Sequence, residues 1–172
     1  MGASAWSYWT DYDPDRGRAF SELRKRVFHS GAYLGPGGKR PVYQRGGRHP
    51  EPRPRTIKQV IKAQAENGTH TILDIAHFEF EGGPPRPMRK LKSPFTGEDI
   101  EIPLTEGGVC RLAAAEELRT VFGTDRPTRS QIEDKDQRGD MLAFIARWEA
   151  LCVVAWDGER PVALYFCGIS GD

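Results

Sequence analysis

Apolar and polar positions change period several times along this chain, and each change marks an element. Ala5-Trp-Ser-Tyr-Trp-Thr-Asp-Tyr12 is aromatic and partly alternating, which predicts a strand. Asp13-Pro14-Asp15 follows as a helix start, with Asp13 as the cap, proline in the first turn and an acid at the positive end of the dipole. Ala19, Phe20, Leu23 and Val27 then recur at helical spacing, and Gly31 is the expected stop. Thr56 and Gln59 have the spacing of a capping box, Ile57, Val60 and Ile61 supply an apolar stripe, and Asn67-Gly68 ends that helix.

Residues 70–81 are apolar on both faces of a two-residue period, which predicts a strand in the middle of a sheet. Ile100, Ile102 and Leu104 alternate cleanly, and Ser93-Pro-Phe-Thr-Gly97 is a turn. Residues 84–104 therefore form an excursion, with a hairpin over 88–104 that sets Arg89, Lys90 and Lys92 roughly opposite Glu98, Asp99 and Glu101. Ala113 to Phe122 is a helix ended by Gly123. A second capping box at Thr128–Gln131 opens another helix that Gly139 breaks, after which Leu142, Ile145 and Trp148 share a face. Leu151–Trp156 and Val162–Cys167 flank Asp157-Gly158, a strong hairpin signal. Both runs are apolar on both faces, so Val153, Trp156, Leu164 and Phe166 are expected in the core. The fold class that follows is α+β in one domain, residues 1–172. It has a mainly antiparallel central sheet ending in the C-terminal β-hairpin, about four packing helices and the one excursion hairpin.

A chain of 172 residues suits a single domain and needs no disulfide or metal to hold its core. Composition adds two points. The three cysteines, Cys110, Cys152 and Cys167, are widely spaced and two lie in apolar runs, which suits reduced core thiols of a cytoplasmic protein; a Cys152–Cys167 bridge across one hairpin is the alternative. The start of the chain has no basic and apolar leader, and no apolar run approaches the ~18–20 residues of a membrane span. No membrane partner is expected.

Net charge is +1, but its distribution is uneven: residues 1–92 carry +8 and residues 93–172 carry −7. Much of the excess sits in residues 35–55, which hold five glycines, five prolines, six Lys or Arg and one acid. Such composition predicts a long basic loop. Tyr43, Arg45, Arg48, Arg53 and Arg55 are its candidate ligand-binding residues, since arginines interleaved with an aromatic suit phosphate contact and stacking. The charge halves also suit mutual neutralisation within one fold.

His70, Asp74 and His77 form the densest cluster of chemically active residues. On a strand, His77 points away from the other two, and His70 and Asp74 lie ~13 Å apart along one face, too far to share a metal. No metal site and no cofactor is expected. Asp74 falls among Ile72, Ala76 and Phe78, where a carboxylate requires hydrogen bonds or a counter-charge. It is a scaffold carboxylate or, with His70, a catalytic pair. His29 and His49 have no partner visible in sequence.

Three functional expectations follow. The first is a cytoplasmic binding protein, of antitoxin or immunity type, that uses the basic loop on a macromolecular partner, a protein before a nucleic acid. The second is an enzyme acting on a phosphorylated or nucleotide ligand with Asp74 and His70 in a cleft. The third is direct binding of nucleic acid.

Overall fold

The structure, a computed structural model, describes residues 4–33, 54–63, 68–79, 88–92, 99–103 and 108–170, and of residues 63, 88–92 and 99–103 it describes the backbone alone. In chain order the elements are β1 (Ala5–Asp11), α1 (Arg16–Ser30), α2 (Ile57–Ala63), β2 (Ile75–Glu79), β3 (Met88–Lys92), β4 (Asp99–Pro103), β5 (Gly108–Leu112), α3 (Ala115–Phe122), α4 (Arg129–Arg138), β6 (Glu149–Asp157) and β7 (Arg160–Ile169). Single 3-10 turns occupy Ile72–Asp74 and Asp140–Phe144.

Five strands pair in the order β1-β7-β6-β5-β2, and β3-β4 form a separate two-stranded sheet. The main sheet is mixed, which corrects the mainly antiparallel expectation. β7 is antiparallel to both β1 and β6, but β5 is parallel to β6 and to β2. The cause is the connections. α3 and α4 lie between β5 and β6 in sequence, and a crossover of that kind brings the next strand back in the same direction. It follows that β1, β6, β5 and β2 all point one way and β7 alone points the other.

Both faces of β6 and β7 are covered. Leu164 and Phe166 pack with Phe20, Leu23 and Val27 of α1 and Val60 of α2 on one face. Tyr165 and Cys167 pack with Leu118 of α3 and Ile132 of α4 on the other. Strand alternation produces this division, and coverage on both sides is why these runs are apolar throughout. The same division rules out a Cys152–Cys167 bridge. Cys152 pairs with Phe166 and Leu151 with Cys167, so the two sulfurs lie on opposite faces. All three cysteines are free and buried, and burial pushes the Cys152 thiol up to about 12.

Several local expectations are corrected. The strand expected from residue 70 begins at Ile75, and β2 lies at the edge of the sheet. Its apolar start belongs to a turn, where Ile72 and Leu73 are buried, while His77 within the strand is exposed. Trp156 is half-buried, because a register shift between Ala155 and Trp156 interrupts the ladder there. Asp15, not Asp13, caps α1: its side chain accepts from the Arg18 amide at 2.9 Å, while Asp13 accepts from the Asp15 amide. The segment after Gly139 is a 3-10 turn, and Trp148 lies beyond it with a left-handed φ of 64°. In the β3-β4 hairpin Lys90 faces Glu101 and Lys92 faces Asp99, while Arg89 faces Ile102. Leu104, Glu98 and the 93–97 turn lie outside the described residues.

Candidate functional site

The two ends of the sheet differ in kind. Because four strands share a direction, one end collects their amino termini together with the carboxyl end of β7. Asp74 sits at that end, in the turn that leads into β2. Thr71 starts the turn by accepting from the Leu73 amide at 3.2 Å. Gly68 precedes it with φ 71°, and a Cβ there would lie 3.0 Å from Asp74 Oδ2, so glycine suits both the backbone and the space. His70 is also left-handed, at φ 56°.

This turn folds Asp74 back on itself. The residue is 2 % exposed. Its Oδ1 accepts from the Thr69 amide at 2.6 Å and its Oδ2 from the Ser170 hydroxyl at 2.7 Å. Thr69 and Thr71 share a further bond between hydroxyls at 2.8 Å. The Ser170 bond joins the turn before β2 to the residue just past β7, two strands that β6 and β5 separate in the sheet. Burial raises the Asp74 pKa; the bonds from Ser170 and Thr69, and the nearby His70, pull against it. The strand geometry expected for His70 and Asp74 is thus overturned, since a turn sets His70 close enough to influence the carboxyl. Burial raises the Tyr8 phenol to about 12, with the Asp74 charge adding to it. Burial lowers Arg24 to about 10, against the pull of Asp74. Arg24 itself donates to the Ala76 carbonyl at 3.2 Å and lies over the Phe20 ring.

The opposite end gathers the carboxyl ends of β1, β6, β5 and β2, and with them the starts of α1 and α3. There a crevice of about 530 Å³ opens, lined by Arg16, Arg111, Leu112, Ala115, Val154 and Trp156 among others. Arg111 makes a two-pronged pair with Glu117, both bonds at 2.7 Å, and Glu117 also accepts from the Ala114 amide at 2.8 Å. The guanidinium of Arg126 lies 5.1 Å from the centre of the Trp156 ring. His77 lies elsewhere, exposed on β2 in a shallow groove with Arg18 and Arg24.

Comparison with protein families, curated proteins and solved structures finds no match. Geometry alone therefore bears on function. Of the expected ligand-binding residues, Tyr43, Arg45, Arg48 and Arg53 lie outside the described residues, as does His49. Arg55 is exposed at the start of α2, and its amide donates to Gln59 Oε1 at 2.7 Å. His29 is exposed at the end of α1. The chain enters and leaves the basic segment from buried anchors, Tyr33 at 2 % and Val60 at 1 % exposure. Both belong to the core cluster that contains Ile72 and Leu73 of the Asp74 turn.

Among the described residues no three His, Cys, Asp or Glu side chains gather as metal ligands. Nor is any described helix long and apolar enough to cross a membrane. Ser170, Thr69 and the carboxyl-end crevice went unnoticed in sequence. Ser170 lies 96 positions from its partner, and the crevice exists only once the strand directions are known.

Proposed function

We propose that this protein is a cytosolic binding protein without catalytic chemistry, which recognises an acidic surface on a partner protein through its basic segment 35–55. The observation that carries this is the enclosure of Asp74. A general base needs a lone pair aimed at a reacting proton. Here each oxygen already accepts a bond from the scaffold, and the side chain has almost no exposed surface through which a substrate proton could reach it. The carboxylate acts as a clamp on the turn that follows α2. The same observation removes the support for an Asp74–His70 enzyme.

The charge layout supports the rest. The basic segment is set between the buried anchors Tyr33 and Val60, in the half of the chain that carries +8. Three buried, unpaired thiols suit a reducing compartment. An antitoxin or immunity protein is the kind of role such a surface would serve.

Anisotropy titrations of labelled polyglutamate and a labelled single-stranded oligonucleotide test this, each repeated from ~50 to ~500 mM salt, a range over which Debye screening changes severalfold. Binding of polyglutamate at low salt, weakening steeply as salt rises and no weaker than binding of the oligonucleotide, is the expected result. Much tighter binding of the oligonucleotide would transfer the segment to nucleic acid, and no binding of either at low salt would reject the reading.

A further inference from the structure

We propose that the crevice at the carboxyl end of the sheet binds a small organic anion, its carboxylate or phosphate held by Arg16 and its apolar body resting on Trp156, Leu112 and Val154. Three observations meet there, and none involves the basic segment.

The first is position. Four strands end on one side of the sheet, and the crevice of about 530 Å³ lies just outside three of those ends, those of β2, β5 and β6. Open sheets with parallel strands bind ligands at such crevices, because the chain diverges there into loops and helix starts. The volume lies within the range of small-molecule sites.

The second is an uncompensated cation. The Arg16 Nε is buried and has no hydrogen-bond partner, and its Nη1 reaches only the neutral carbonyl of Pro14, at 3.2 Å. The other charged lining groups are engaged: Arg111 with Glu117, Asp125 with Arg119, and Glu79 too is not free. Arg16 alone among them carries no such partner among the described residues. Arg16 lines the crevice, and a guanidinium there without a carboxylate partner is satisfied by an anion arriving beside it.

The third is the rest of the wall. Trp156, Leu112 and Val154 offer an apolar surface, and Trp156 is half-buried where the strand passes from buried Ala155 to exposed Asp157. The start of α3 adds donors. Ala114 and Ala115 line the crevice, Ala114 is an N-cap with no side chain able to accept, and the amide of Ala115 in the first turn has no intrahelical partner. A polar headgroup site beside an apolar floor selects a molecule with both parts.

Titration of the full chain with benzoate and with phenyl phosphate, followed by amide and Arg16 Nε–H shifts in proton–nitrogen NMR, tests this. Benzyl alcohol is the uncharged control. Saturable shifts at Arg16 Nε–H and at the Ala115 amide are expected with at least one of the two anions, and the stronger binder identifies the headgroup. Arg16→Gln should weaken that binding about tenfold, the loss of one charge-assisted hydrogen bond. Ala115→Pro is the second variant. Proline suits the first position of a helix and Ala114 is already extended, so the fold tolerates it while one donor disappears. Binding should weaken there as well, which keeps the proposal testable should Arg16→Gln fail to fold. Absence of saturable shifts in the crevice with both anions overturns the proposal. So does benzyl alcohol binding as tightly as the anions, or unchanged affinity in a folded variant.

Discussion

Removing the Asp74 carboxylate should show what the residue does. Asp74→Ala strips the acceptor from two buried donors, the Thr69 amide and the Ser170 hydroxyl, held at 2.6 and 2.7 Å. Each hydrogen bond to a carboxylate contributes about 1.5–3 kcal/mol. Relief of the buried charge offsets part of that sum, leaving a net loss of about 2–4 kcal/mol. Asp74→Asn should be much milder. An amide oxygen still accepts from Thr69, and the amide nitrogen can donate to Ser170, whose hydroxyl also accepts. A loss of at most about 1 kcal/mol follows, from the amide's changed pattern of donors and acceptors toward Thr69 and Ser170. Urea denaturation with an unchanged slope measures both. The pH dependence has a definite sign. Burial raises the Asp74 pKa above its ordinary 3.8 in the folded protein, so the folded state holds that proton more tightly than the unfolded one. The stability it contributes is present below the unfolded value and lost as pH rises through the folded value. Wild type minus Asp74→Asn stability should therefore fall as pH rises through the acid range above 3.8. Asp74→Ala within about 0.5 kcal/mol of wild type, the range of ordinary surface substitutions, would refute the clamp.

Other substitutions test the core and the close approaches. Phe166→Ala removes a side chain with 0 % exposure that packs against Phe20, and should lose ~3–5 kcal/mol by denaturant unfolding. Gly168→Ala places a Cβ against the Trp6 ring and the Glu149 carbonyl, so a loss on the order of 1–3 kcal/mol or more is expected, with changed tryptophan fluorescence. The thiols of Cys110, Cys152 and Cys167, buried and raised in pKa, should resist a thiol-specific dye in the native protein and react once urea unfolds it.

What the sequence made legible follows the range of the physics involved. Helix ends were readable because caps act within a few residues: Gly31, Gly123 and Gly139 all end helices in left-handed conformations, and Thr128 caps α4. The Asp157-Gly158 hairpin was readable for the same reason. Strand direction was not, because nothing local distinguishes a strand entered from a hairpin from one entered after a crossover. Once β5 and β6 are seen to be parallel, the carboxyl-end crevice becomes visible. Residues 70–74 looked like a strand because a buried 3-10 turn and a central strand present the same run of apolar residues. Chemistry beside Asp74 was misjudged by the same error: a turn brings His70 near where a strand would have kept it ~13 Å away. Burial of the carboxylate itself was readable from its apolar neighbours, but its partner Ser170 was not.

Whether the basic segment binds an acidic surface is measured most directly by its salt dependence. A variant with Arg45, Arg48, Arg53 and Arg55 all replaced by glutamine removes four of the six charges of the segment, Arg55 among them exposed. Affinity for polyglutamate should be compared with wild type across a series of salt concentrations. The slope of log affinity against log salt should become shallower by about one for each lost charge contact, with the melting temperature unchanged. An equal slope and equal affinity in a variant that melts like wild type would contradict recognition through this segment.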